Sequence, residues 1–310
     1  YVKGGYLQEL NDFSATHCVN EHFLEKLKIL NGTYVLPLSV NYRGIFYNKR
    51  MLEEDGYQIP STYAELIDTM ERIKKAGKLP IVFADKDNWT IHQGWDAIDM
   101  SSRGSQDDFF QNVLNGDAFL YEDSIALDST RKFLEIRQYG QKQTINTGYD
   151  EAVKKFANGE AYMFFQGNWA YPMIKKINPD IDLLFMPFPA DDEDGAKVVA
   201  KIDATLGISA SCEHLDAIGK FLDYVFSKNI SEYYAEKAGA YSCIKFVDVT
   251  DSYAKAFTDS ISNGDFYLEE FAYESTKSDA RNTLFQNFIS STQRNTEKSF
   301  LKKLNDLLIQ

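Results

Sequence analysis

From Gly32 to about residue 230, short apolar runs alternate with segments whose apolar residues recur every three or four positions. That alternation confines the chain to layered α/β architecture. Val35–Leu38 and Ile45–Tyr47 read as strands, and Gly56 stops a short helix over Met51–Asp55. Thr62 followed by Glu65 is a capping box opening a helix with Leu66, Ile67, Met70 and Ile73 on one face. Gly77 and Pro80 end that helix, and Ile81–Ala84 reads as a buried strand. Residues 85–130 read as less regular, with a helix over Arg131–Tyr139 and another capped by Asp150. Ala161–Phe165 is a strand that turns into a helix through Gly167-Asn168-Trp169. Strands are expected at Ile181–Met186 and Ala204–Ser209, and a patterned helix carries Leu215, Ile218, Phe221, Leu222 and Val225. Past 245 the chain reads as helical, ending on Phe300, Leu301, Leu304, Leu307 and Leu308. At 310 residues, one large or two medium domains are expected.

Several function classes drop out on composition. The formal net charge is −13, and Lys and Arg occur singly or in pairs, so no basic stripe exists to displace counterions from a nucleic acid. No apolar run approaches the ~18 residues of a membrane span. No glycine-rich phosphate loop and no nucleophile elbow is present, so neither a nucleotide cofactor nor a catalytic serine is announced. His17, His22, His92 and His214 lack metal-ligand spacing, and the acidic loop Asp191–Gly195 fails the EF-hand pattern, so no metal or other cofactor is expected. Three cysteines make no disulfide framework, although Cys212 and Cys243 are open to one bridge. Aromatic residues reach 14%, and most of them must pack in the core.

Several segments, taken in order, resemble one family. Gly32-Thr33-Tyr34-Val35-Leu36-Pro37 resembles its "G-x-x-Y-x-L-P" approach to the ligand cleft, and Ile45–Gly56 its "lyYNkdlfekaG" signature. Ile59–Leu66 resembles "P-x-T-W-x-E-L", with Tyr63 for Trp, and Phe156–Met163 with Gly167–Ala170 resembles "F-x-x-G-x-A-A-M…G-x-W-A". The chain is similar to the extracellular solute-binding proteins of bacterial ABC importers, in the carbohydrate-binding branch. The likeness fades after residue 245. The chain starts without a signal peptide or initiator Met, and resembles a family member lacking several dozen N-terminal residues.

The resemblance implies an α/β, two-lobed periplasmic-binding-protein-like fold (type II) with a hinge, its first lobe incomplete. Residues 1–45 and 198–245 would form the first lobe, and 46–197 with 246–310 the second. It further implies binding of a mono- or oligosaccharide in an interlobe cleft and delivery to a membrane permease. No catalysis is implied. The expected setting is extracytoplasmic, lipid-anchored or periplasmic, as a monomer. A non-sugar solute and a carbohydrate-active enzyme are the competing readings.

Sugars present a C–H face to aromatic rings and hydroxyls to planar polar groups. Trp169, at the strand-to-helix turn, matches a family position that stacks on sugar; the alternative is a core anchor. Trp89 and Trp95 fall in the irregular segment, where a cleft lip is expected, and Gln93 between them can bond a hydroxyl. Asn41, Tyr42 and Arg43 interrupt a strand-rich segment at the expected crossing, with Arg43 divided between ligand and a hinge salt bridge. Asp203 precedes the returning strand, and Tyr241 matches a position near the family's cleft. An anionic ligand would need Arg43 and Arg103.

Overall fold

The ten-residue strand β2 (Ser39–Asn48) organises the chain. The computed structural model describes residues 1–103, 108–191, 196–247, 252–268, 278–291 and 296–309. Most of the acidic loop, 192–195, lies outside them. The chain divides into two compact units, Tyr1–Asn41 with Ala200–Ser252 and Tyr42–Val199 with Tyr253–Gln310. It therefore crosses between units at 41/42, 199/200 and 252/253, where the sequence reading put 45/46, 197/198 and 245/246.

In the second unit, β2 is the central strand of a mixed sheet. The strand β4 (Ala161–Gly167) runs antiparallel to it, Arg43 opposite Gly167 and Ile45 opposite Phe165. On its other edge lies β5 (Leu183–Met186), also antiparallel, with Phe46 opposite Phe185. The strand β3 (Leu79–Val82) pairs parallel with β4. Near-continuous burial of β2 fits a sheet covered on both faces. Gly44 is dictated by packing: a Cβ there would stand 2.1 Å from the carbonyl oxygen of Met186.

The helix Tyr63–Lys75 begins at the expected capping box. Thr62 Oγ1 accepts the N–H of Glu65, and the Glu65 carboxylate accepts from Ser61 and Thr62. Its apolar face buries Leu66, Met70 and Ile73. The segment read as irregular is instead a 15-residue helix, Trp89–Arg103, followed by Phe109–Asn115 and Ser124–Arg137. The later helices Ser278–Ser290 and Glu297–Ile309 close over this group through Phe285, Phe288, Phe300, Leu301 and Leu304.

In the first unit, β1 (Val35–Pro37) pairs antiparallel with β6 (Thr205–Gly207), and Ser39–Val40 pair with Ser242–Tyr241. Leu10, Val19, Phe23, Leu36, Val40 and Phe226 are buried there. The helix Leu215–Val225 forms where its periodicity requires, yet only Leu222 is buried, and Phe221 is 51% exposed. Cys18, Cys212 and Cys243 are all free thiols, and burial pushes the Cys243 thiol up.

Candidate functional site

The site sits in the second unit and grows from the helix Trp89–Arg103. At about 100° per residue, Trp89, Thr90, Gln93 and Gly94 share one side of that helix. They face Phe165 and Gln166 of β4 and Arg43 of β2. Arg43, Thr90, Gln93, Gly94, Phe165 and Gln166 line a small pocket. Gly94 permits the close approach, since a Cβ there would meet the Phe165 ring at 3.0 Å.

Two amides leave polar atoms unmatched at this pocket. Gln93 Oε1 and Gln166 Nε2 are buried and meet no hydrogen-bond partner among the described residues. The other end of Gln166 is engaged, its Oε1 accepting the Gly167 N–H at 3.0 Å. A buried polar atom without a partner costs about 1–3 kcal/mol. The two atoms together offer one acceptor and one donor, the pair that a hydroxyl group satisfies.

The start of the same helix and the turn after β4 each carry an indole ring. After β4 the chain makes a single 3₁₀ turn, Asn168–Ala170. Buried Asn168 pins that turn to β2 by accepting the Tyr42 N–H at 2.8 Å. The Trp169 ring folds back over Gly167, where a Cβ would stand 2.1 Å from it. Trp169 is half-buried, and its Nε1 is buried without a hydrogen-bond acceptor among the described residues. Its centroid lies 6.2 Å from that of Trp89, which in turn lies 5.3 Å from Tyr149. Tyr149 opens the helix Tyr149–Ala157, its N–H bonded to Asp87 Oδ2 at 2.6 Å. Burial, with Asp150 nearby, pushes the Tyr149 hydroxyl well above its ordinary range, so it stays protonated. That hydroxyl too has no partner among the described residues.

Beneath the pocket lies a buried ion cluster. The Arg43 guanidinium is 3.6 Å from Asp96 Oδ2, and the same oxygen is 2.9 Å from His92 Nδ1. Arg281 donates to Asp96 Oδ1. Arg103, the other cation considered for an anionic ligand, is committed elsewhere. It binds Asp99 at 2.6 Å and Asp123, with only 1% of its side chain exposed.

The structure thus puts Gln93 and Arg43 on one pocket and Trp89 beside Trp169. Trp95 and Tyr42 are corrections. Trp95 lies six residues beyond Trp89, about 240° around the helix. It is fully buried, with its Nε1 donating to Thr130 Oγ1 at 2.9 Å. Tyr42 points to the opposite face of β2 from Arg43 because strand side chains alternate. It stacks on Phe257 at 4.5 Å and is 1% exposed. Asn41, Asp203 and Tyr241 belong to the first unit. Asn41 is half-buried on β2, and Asp203 is exposed, with its N–H bonded to Ser39 O at 3.0 Å. Tyr241 is half-buried beside Phe23, ring edge to face at 6.5 Å. Tyr149 and Gln166 were missed; an aromatic at a helix start and an amide in a strand carry no local signature. No group of three or more metal-ligating side chains occurs among the described residues. Nor is any helix there long and apolar enough to cross a membrane.

Comparison with known proteins identifies the family. The model of the family described as bacterial extracellular solute-binding protein matches residues 1–229. The multiple sugar-binding protein of Streptococcus mutans is 28% identical over 255 residues, covering 80% of this chain. The chain spans 60% of that relative's length. Among solved structures, RafE of Streptococcus pneumoniae in complex with raffinose superposes with a TM-score of 0.85 at 22% identity, covering 99% of this chain and 81% of its own. A sugar transporter of Bacillus licheniformis in complex with stachyose gives 0.79 at 20% identity, covering 98% and 82%. With a family model spanning most of its length and an α/β fold shared with such proteins, the chain belongs to the bacterial extracellular solute-binding proteins.

Proposed function

We propose that this chain binds a mono- or oligosaccharide through the Trp89–Trp169 pocket and hands it to the permease of an ABC importer. The observation that carries this reading is the pairing of buried, unmatched amide atoms on Gln93 and Gln166 with two half-buried indoles. Rings supply flat apolar area for a sugar's C–H face, and the amides supply a donor and an acceptor for hydroxyls. The named relatives support the same class: they are sugar-binding proteins, and two solved ones hold raffinose and stachyose. Binding without turnover, an extracytoplasmic setting, either lipid-anchored or periplasmic, and a monomeric state complete the proposal. A non-sugar anionic solute is disfavoured by the commitment of Arg103 to two carboxylates.

The test is titration with raffinose, stachyose, melibiose and simple monosaccharides, following tryptophan fluorescence and melting temperature together. One sugar class should give a saturable change with no product formed. Trp169→Ala should fold and weaken that binding by about 1–3 kcal/mol, the value of the apolar area lost. Unchanged affinity in a folded Trp169→Ala variant would remove the indole from the site, and silence across the panel would end the carbohydrate reading.

A further inference from the structure

The helix Trp89–Arg103 has a second working side. Next to the pocket side it presents His92, Trp95 and Asp96 to the helix Ser278–Ser290. Phe285 packs there 6.3 Å from the His92 ring, 6.0 Å from Trp95 and 5.9 Å from Phe133. One turn earlier, Arg281, itself 3% exposed, donates to Asp96 Oδ1. Asp96 is fully buried, and its other oxygen faces His92 and the pocket-lining Arg43. A chain of charged contacts therefore runs from Arg281 through Asp96 to the pocket wall. Arg281 lies beyond residue 229, where the match to the family model ends.

We propose that Arg281 is a positioning residue for the sugar pocket: through Asp96 it fixes the Arg43 guanidinium in the pocket wall, so ligand affinity depends on the C-terminal helix. This rests on the carbohydrate reading of the pocket. With Oδ1 accepting from Arg281 and Oδ2 at 2.9 Å from His92 Nδ1, the carboxylate has little rotational freedom, and its charge holds the Arg43 guanidinium at 3.6 Å. Removing one donor frees the carboxylate to turn toward the other, and Arg43 turns with it. Such a residue touches no ligand yet alters binding.

The test compares Arg281→Met, Arg281→Lys and Phe285→Leu, with melting temperature recorded for each. Phe285→Leu loosens the same helix without touching the ions, so it reports the merely structural effect. With raffinose as the probe, Arg281→Met should weaken binding by about tenfold. Arg281→Lys should recover part of that loss, and Phe285→Leu should lower the melting temperature with affinity within about twofold of the parent. Equal affinity losses in Arg281→Met and Phe285→Leu, or none in Arg281→Met, would overturn the proposal. A ligand-free arm separates it from the sugar reading. The Arg43 Nε–H resonance, assigned by its disappearance in Arg43→Lys, should shift in Arg281→Met and stay in place in Phe285→Leu. If the parent binds no sugar of the panel, monosaccharides included, the sugar reading fails, and this resonance alone decides whether Arg281 positions Arg43.

Discussion

Gly167 and Gly44 are two residues whose missing side chains shape the site. A Cβ on Gly167 would intrude to 2.1 Å from the Trp169 ring, the far end of a side chain that can swing away. Gly167→Ala should therefore fold, move Trp169 off Trp89, red-shift the tryptophan emission and weaken sugar binding; unchanged emission and affinity would contradict the packing described. Gly44 differs because its obstacle is the Met186 backbone carbonyl, held in the neighbouring strand. Gly44→Ala should cost about 1–3 kcal/mol or more in urea unfolding, the usual penalty of overpacking. Legibility at this scale was uneven. Trp169 was placed by its turn, whereas Trp89 and Trp95 read alike because six residues of separation decide their faces only once a helix is recognised. Tyr42 and Arg43 read as one polar group because their strand alternation was not applied.

The helix Trp89–Arg103 shows why an element can hide. Its buried face carries His92, Asp96 and Asp99, polar residues that erase the apolar period used to find helices. The guanidinium partners of Asp96, Arg43 and Arg281, lie far away in sequence, so no local window reveals that its burial is possible. The helix Tyr63–Lys75 was legible because its signals are local: a cap, an amphipathic face and a terminating glycine. Thr62→Ala should cost about 1 kcal/mol in chemical denaturation, the usual value of such a cap. At the other end of the hidden helix, Arg103 is shared by Asp99 and Asp123 and lies over the Phe109 ring at 4.0 Å. Burial pushes the Asp99 carboxyl up to about 6 against the pull of Arg103, with Asp123 adding to the rise. Between the ordinary carboxylate range and about 6, the folded chain holds a proton that the unfolded chain has released. Stability from this group therefore falls as pH rises through that window. A carboxyl carbon titration should place the Asp99 midpoint near 6, and a midpoint in the ordinary range would refute the burial argument. Arg103→Leu should cost about 3–5 kcal/mol at neutral pH by leaving buried carboxylate charge behind. Asp99→Asn should cost far less, since Arg103 keeps Asp123.

At the scale of the whole molecule, the two α/β units were legible from alternating periodicity and the family resemblance, but the crossings were not. β2 is one uninterrupted strand where the sequence reads a polar break at Asn41–Arg43, and the change of unit falls inside that break, between Asn41 and Tyr42. The units differ in size and in core. The first has under half the residues of the second. A smaller unit buries a smaller fraction of its surface and is correspondingly less stable. Its helix Leu215–Val225 buries only Leu222, while in the second unit β4 is buried along nearly its whole length beside β2 and β3. Local opening requires the least free energy where few apolar contacts hold backbone hydrogen bonds. Native-state hydrogen exchange should therefore show amides of Leu215–Val225 exchanging through a partial opening, with protection below that of Ala161–Gly167. Adding denaturant in steps should merge the first unit with global unfolding only near the midpoint. Saturating sugar at about 100 times Kd should add about 2.7 kcal/mol to the protection of the second unit, which supplies the pocket. Equal protection of both segments at every denaturant concentration would mean that the chain unfolds as one cooperative body, and that its smaller unit draws its stability from the larger.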